Sequence, residues 1–223
     1  IDIYYLHHED HNTPLLETVL TIGDLIKSGK IRYFGLSNYR GWRIAEICRL
    51  CDQHSIPRPV VCQPYYNALN RQPEVEILPC SNHYGLGVVP YSPLARGVLT
   101  GKYKPGATPD AESRAGAADG RMMETEWRTE SLMIVEKITA HCKKKGQTPI
   151  DFAIGWLLAN NFVSSILAGP RTLEQFQGYI KALSYPYDAN DEALLNELVA
   201  PGHPSTQGYN DPRYPLEGRR VSL

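Results

Sequence analysis

Apolar positions along the chain switch between two spacings, and the switching predicts its elements. Ile1-Asp2-Ile3-Tyr4-Tyr5-Leu6-His7 is an almost continuous apolar and aromatic run ending in a histidine. Such a run predicts a parallel strand buried on both faces. A strand of that kind needs neighbours on each side, so either the chain pairs differently from this pattern or an N-terminal piece is expected to precede Ile1. Thr13-Pro14 then offers a cap and a first-turn proline. Leu15, Leu16, Val19, Ile22, Leu25 and Ile26 recur at helical spacing until Gly29. Ile31–Leu36 predicts a second strand, ending in Ser37-Asn38. Trp42, Ile44, Ala45, Ile47, Cys48 and Cys51 mark one face of the next helix. Val60–Cys62 predicts a third strand closed by Gln63, a helix follows over 74–82, and Leu86–Tyr91 predicts a fourth strand.

The rhythm breaks at Gly101–Gly120, a Gly-, Pro- and Ala-rich stretch without periodicity that reads as a long mobile surface loop within 101–125. Helices are expected over 130–145 and 150–160, a fifth strand over 163–168, and helices over 173–183 and 191–199. Residues 1–200 thus form five strand–helix units, and 201–223, rich in proline, an irregular tail. That alternation means a parallel α/β architecture. A doubly wound sheet and a (β/α)8 TIM barrel both fit it. The lack of a Gly-rich strand-to-helix turn speaks against the first. Isolated polar residues at strand ends (His7, Ser37, Asn38, Gln63, Tyr91, Ser92) favour the barrel, which binds its ligand there. Five units instead of eight predict an incomplete barrel, strands four to eight, with an open edge where the first three would stand.

Composition narrows the function classes. Hydrophobic residues at 42% and charged residues at 21% describe an ordinary globular chain. A net charge of −1 argues against a nucleic-acid or anionic-membrane surface, and no apolar run approaches the ~20 residues of a membrane span. The odd number of scattered cysteines, five, suits reduced thiols in a cytoplasmic setting. Cys48 and Cys51 lack a second ligand pair at finger spacing and read as small core residues rather than as a metal site.

The strand ends form a set when taken together. The segments Asp2–His7, Ile31–Asn38 (IRYFGLSN), Gln63–Asn67 (QPYYN), Tyr91–Lys102 (YSPLARGVLTGK) and Gly169–Gln175 (GPRTLEQ) occur in order over essentially the whole chain. The sequence resembles the aldo-keto reductase family. The resemblance implies hydride transfer between NADP, or NAD, and an aldehyde or ketone substrate. His7 matches the histidine that orients the carbonyl; its bland reading is a buried histidine satisfied by a neighbour. Ser37, Asn38 and Gln63 match the residues that hold the nicotinamide carboxamide, or else cap strand ends. Tyr91 matches the aromatic stacked on the nicotinamide, or is a core aromatic. Ser92, Pro93, Leu94, Arg96 and Gly97 match the loop along the pyrophosphate, with Lys102 as a further cation. Arg114 matches a loop arginine that folds over the cofactor, and the 101–120 loop reads as a cofactor lid. Gly169, Arg171 and Gln175 match the adenosine end, where Arg171 either meets the 2′-phosphate or faces water at a helix start. Gly178 and Tyr179 stand where the family has Glu and Asn, which removes adenine contacts. His8 and His11 are expected to face solvent.

The family's proton-donating tyrosine, with its Lys and Asp, lies on earlier strands, and none of the fourteen tyrosines matches it. The chain alone is therefore expected to be inactive. A nicotinamide-binding regulatory subunit of the potassium-channel β type, and a non-functional open-edged fragment, are the alternatives.

Overall fold

The computed structural model describes residues 1–214 and 216. The chain divides into two compact units, one of Ile1–Tyr65, Pro73–Tyr91 and Asn160–Leu167, the other of Tyr66–Gln72, Ser92–Ala159 and Ala168–Leu223.

The first unit carries a parallel sheet, β1 (Ile3–Leu6), β2 (Tyr33–Ser37), β3 (Val61–Gln63) and β4 (Gly87–Val88), in the order β1-β2-β3-β4. Helices α1 (Leu15–Lys27), α2 (Gly41–Gln53) and α3 (Ile77–Tyr84) connect the strands. The pairing aligns Tyr4 with Phe34, Leu6 with Leu36, and Leu36 with Cys62. Because side chains alternate along a strand, Phe34, Leu36 and Cys62 share one face. There they pack with Val19 and Ile22 of α1 and Ile44, Ile47, Cys48 and Cys51 of α2. Tyr5, Gly35, Ser37, Val61 and Gln63 lie on the opposite face.

Several expectations change in this unit. β1 is not buried on both faces. Among the described residues it lies at one edge of the four-stranded sheet with β2 as its one partner, and Ile3 and Tyr4 are exposed. Thr13 does not cap α1; its hydroxyl donates to Asp10 Oδ2 at 2.6 Å, and Pro14 holds the N-cap position without a side-chain bond. Trp42 is exposed because it lies two residues, about 200°, from Ile44 around α2; Arg43 is buried instead. α3 starts at Ile77 rather than at 74. Pro79 has no N–H and its ring would collide with the carbonyl of Val75, so the helix cannot extend upstream. The fifth strand over 163–168 is absent. Val163 makes a single parallel bridge to Val88, and Ser164 N and Leu167 N donate to Val88 O and Pro90 O at 2.8 and 2.9 Å. Pro90 has no N–H to give back, so no ladder propagates.

The second unit is helical: α4 (Gly120–Thr125), α5 (Thr129–Lys144), α6 (Pro149–Ala159), α7 (Leu173–Ala182) and α8 (Ala189–Leu198). α6 is apolar around most of its circumference, as a helix surrounded by neighbours must be, and Phe152, Ala153, Ile154 and Leu157 are wholly buried. The 101–125 stretch is not all loop. Asp119 accepts from Met122 N at 2.8 Å and starts α4, while Tyr103, Ser113 and Ala115 are buried anchors within the irregular part. Residues 201–214 form no helix or strand. Ser205 N donates to Leu69 O and Arg71 N to His203 O, at 2.8 and 3.0 Å. Sequence-predicted tail residues 215 and 217–223 lie outside the described residues.

Candidate functional site

Parallel strands present all their carboxyl ends along one edge of the sheet, and the predicted strand-end residues of the first unit meet there. Ser37 closes β2 and is buried; its hydroxyl donates to Gln63 O on β3 at 2.9 Å. Asn38 follows in the left-handed region at φ 60°. Its Nδ2 donates to His7 O at 2.9 Å and to Ser37 Oγ at 3.1 Å, and its Oδ1 accepts from the Tyr91 hydroxyl at 2.8 Å. One amide thus ties the ends of β1 and β2 to the chain beyond β4. The Tyr91 ring is half-buried and stacks on Tyr65, centroids 5.6 Å apart at 28°.

His7 lies one residue beyond β1 and is exposed, which rules out the buried-histidine reading. Since β1 ends at Leu6, the alternation that would separate His7 from His8 also ends, and their ring centroids lie 5.5 Å apart. His11 is 51% exposed, as expected, yet its Nδ1 lies 3.1 Å from Arg43 Nη1. Glu9 accepts from Arg40 N at 2.7 Å and Glu76 from Gly41 N at 3.1 Å. Two carboxylates therefore meet the positive end of α2, which fixes the loops beside His7 and Asn38.

Gln63 has a partner that the strand-end pattern did not reveal. Tyr5 pairs in register with Gly35 and Gly35 with Val61. A Cβ on Gly35 would lie 2.8 Å from Tyr5 Cε1 and 2.5 Å from Val61 Cγ1. Glycine is required there because the Tyr5 ring lies across it. Burial pushes the Tyr5 phenol up, against a hydrogen bond with the Gln63 side chain.

The second unit holds the other predicted residues in local groups. Ser92, Pro93, Leu94, Arg96 and Gly97 form a tight turn, with φ of 56° at Ser92, 51° at Arg96 and 101° at Gly97. Asn67, wholly buried, donates from Nδ2 to Ser92 O at 3.1 Å and accepts from Leu69 N at 2.9 Å. Arg96 Nε is buried with no hydrogen-bond partner among the described residues. Lys102 folds back over this turn, its Nζ 3.7 Å from where a Gly97 Cβ would stand and 4.9 Å from the Tyr103 ring centroid. Arg114 is half-buried in the 101–119 segment.

At the start of α7, Thr172, missed at the sequence level, accepts from Gln175 N at 3.2 Å, and Gln175 Oε1 accepts from Arg171 N at 2.7 Å. Thr172 therefore caps this helix and the Gln175 side chain reaches back to the residue before it, while Gly169 and Arg171 are exposed. Tyr179, in the position where the resemblance expects Asn, is pushed up by burial and hydrogen-bonded to the Gly169 backbone. Cys48 and Cys51 sit in the core with thiols pushed up to about 12 and about 11, chiefly by burial.

Residues 1–200 match the family model described as the Aldo/keto reductase family. The chain belongs to the aldo/keto reductase family. Its relatives include the uncharacterized oxidoreductase YrpG of Bacillus subtilis, 32% identical over 94% of this chain and 62% of that protein. Human aflatoxin B1 aldehyde reductase member 2 is 34% identical over 82% of this chain and 54% of that protein. L-glyceraldehyde 3-phosphate reductase of Escherichia coli O157:H7 is 31% identical over 91% and 59%. The chain thus spans less than two thirds of the length of each of these proteins.

Proposed function

We propose that the protein is an NADP-dependent reductase of aldehyde or ketone carbonyls, with its four parallel strands belonging to a (β/α)8 barrel. The observation that carries this reading is the Asn38 amide, bonded at once to His7 O, Ser37 Oγ and the Tyr91 hydroxyl at the carboxyl ends of the strands. The donor set fits a nicotinamide. Ser37, Asn38 and Gln63 present the amide and hydroxyl chemistry that a carboxamide pairs with, and Tyr91 offers a flat face held by a hydroxyl bond. The orphaned Nε of Arg96 supports a phosphate beside the Ser92–Gly97 turn, and Arg171 supports a 2′-phosphate and hence NADP rather than NAD. When bound, the nicotinamide supplies the hydride.

The chain's own contributions are binding and orientation. His7, exposed beyond β1, donates from its imidazole to the carbonyl oxygen and stabilises the charge that grows there. Gln63 and Asn38 fix the ring plane, and Tyr91 shields one ring face. Residues 1–223 carry no tyrosine matched to the family's proton donor, so turnover by these residues alone is slow in this reading. Five free cysteines support a reducing, cytoplasmic setting. Titration with NADPH should quench the protein's aromatic emission saturably. A flat titration would refute the cofactor reading, and NADPH-dependent carbonyl reduction at rates typical of enzymes would refute the slow-turnover part.

A further inference from the structure

The strand-end cluster contains one bond that neither ring stacking nor carboxamide binding requires. The Tyr91 hydroxyl donates to Asn38 Oδ1 at 2.8 Å. A phenylalanine would stack as well, so the hydroxyl needs another reason. Asparagine has two amide hydrogens and one carbonyl oxygen. Here the hydrogens go to His7 O at 2.9 Å and Ser37 Oγ at 3.1 Å, and the oxygen takes the phenol. The opposite amide orientation would set Oδ1 against His7 O, two acceptors in contact. His7 O therefore fixes the amide, and the amide fixes where the phenol must point.

The backbone gives the second observation. Asn38 stands at φ 60°, a left-handed conformation that favours glycine and that asparagine tolerates better than other side chains, and here bonds from distant parts of the chain reinforce it. The groups holding it come from three places in the chain: His7, Ser37 and Tyr91. Ser37 is itself buried and bonded to Gln63 O at 2.9 Å. Behind Tyr91 the Tyr65 ring, 5.6 Å away, restricts the one rotation left to the phenol.

We propose that the Tyr91 hydroxyl is a positioning group. It locks Asn38 in its left-handed conformation, so that the His7 carbonyl, the Asn38 amide and the Tyr91 ring form one rigid unit before any ligand arrives. The lock rests on the geometry alone. Its consequence for nicotinamide binding rests on the cofactor reading above. Preorganisation of this kind reduces the ordering cost of binding, and it acts only on the part of a ligand that meets Asn38.

The test is Tyr91→Phe, which keeps the ring and its stacking partner. Without ligand, the Asn38 Nδ2 hydrogens, followed by amide-resolved exchange, should exchange about five- to tenfold faster, the factor for one net hydrogen bond. Unchanged exchange overturns the lock. With ligand, NADPH binding should weaken by about the same factor, while 2′,5′-ADP, which lacks the nicotinamide, should bind as before. Equal loss for both ligands, or no loss for NADPH, overturns the positioning role. Failure of the parent to bind either ligand would instead refute the cofactor reading, and the exchange measurement would still decide the lock. Asn38→Gly, which keeps a left-handed backbone and drops the amide, should reproduce the nicotinamide-selective loss; full NADPH affinity in that variant also overturns the proposal.

Discussion

Asp191 in the helical unit and Asn38 in the sheet unit each gather several polar partners, but they differ in what they leave over. Asp191 is wholly buried. It meets His141 Nε2 at 2.6 Å, Lys145 Nζ at 2.7 Å, the Tyr185 hydroxyl at 3.0 Å and Asp188 N at 3.0 Å. Burial alone would raise its pKa, yet Lys145 and His141 outweigh that and hold it below the usual carboxylate range. Its acceptor capacity is spent on the chain itself. Asn38 spends both amide hydrogens in the same way but keeps the second lone pair of Oδ1, and its neighbours His7 and Tyr91 keep an exposed imidazole and a half-buried ring. A closed hub stabilises; a hub with open neighbours can present groups to a ligand. Density of hydrogen bonds does not separate the two, whereas the exposure of the residues they fix does.

Removing the closed hub should have the largest effect. Asp191→Ala leaves Lys145, His141 and Tyr185 without their common acceptor and should cost about 3 kcal/mol. That is the low end for breaking a buried ion pair, because the Lys145 and His141 side chains keep some solvent. Urea unfolding measures it, and a loss below about 1 kcal/mol would mean that the cluster behaves as a surface pair.

The pH dependence sharpens the same contrast. Asp191 is depressed in the fold, so its stabilisation is complete above the usual carboxylate range and disappears as pH falls through its folded value. For Lys145 burial acts downward, but hydrogen bonds to Asp191 and Asp188 raise it overall. Its contribution is therefore complete below the usual lysine range and is lost as pH rises through the folded value. Urea midpoints should stay level between those limits, and Asp191→Asn should flatten the acid limb. An acid limb of unchanged slope would show that other carboxylates set it.

A smaller loss is expected at the open hub's support. In Gly35→Ala the new methyl would lie 2.5 Å from Val61 Cγ1 and 2.8 Å from the Tyr5 ring. Overpacking of this size costs about 1–3 kcal/mol, and it pushes Tyr5 off Gln63. Tyr5→Ala in the same chain should recover part of the loss, since it vacates the ring's place. No recovery would place the strain at Val61 alone.

What the chain reveals before its structure is known follows the same division. Helices written by periodic apolar positions were legible to within a residue or two, as in α5 and α6. The strand-end residues His7, Ser37, Asn38, Gln63 and Tyr91 were legible because a parallel sheet must collect them at one edge. Tyr5 and Gly35 were not, because a ring crossing a glycine on the next strand depends on register, which no local pattern carries. Asp191 looked like any polar first-turn residue, since His141 of α5 and Lys145 just beyond its end reach it across 50 and 46 positions. The missing fifth strand shows the limit of apolar runs. Val163–Ala168 has the composition of a strand, but Pro90 opposite it withholds the donor that a ladder needs.

His7 supplies the smallest expected effect on stability and the sharpest test of the comparison. Asn38 holds His7 through its main-chain oxygen, so His7→Ala removes the exposed imidazole and leaves the hub intact. An exposed side chain outside any buried network changes stability by about 0.5 kcal/mol or less. NADPH affinity should also persist, because the carboxamide groups are untouched. Carbonyl-reducing turnover, however slow in the parent, should fall about 100-fold, the usual loss for one donor at a developing oxyanion. If stability instead falls by about as much as in Asp191→Ala, His7 is part of a structural cluster, and the open hub is not open.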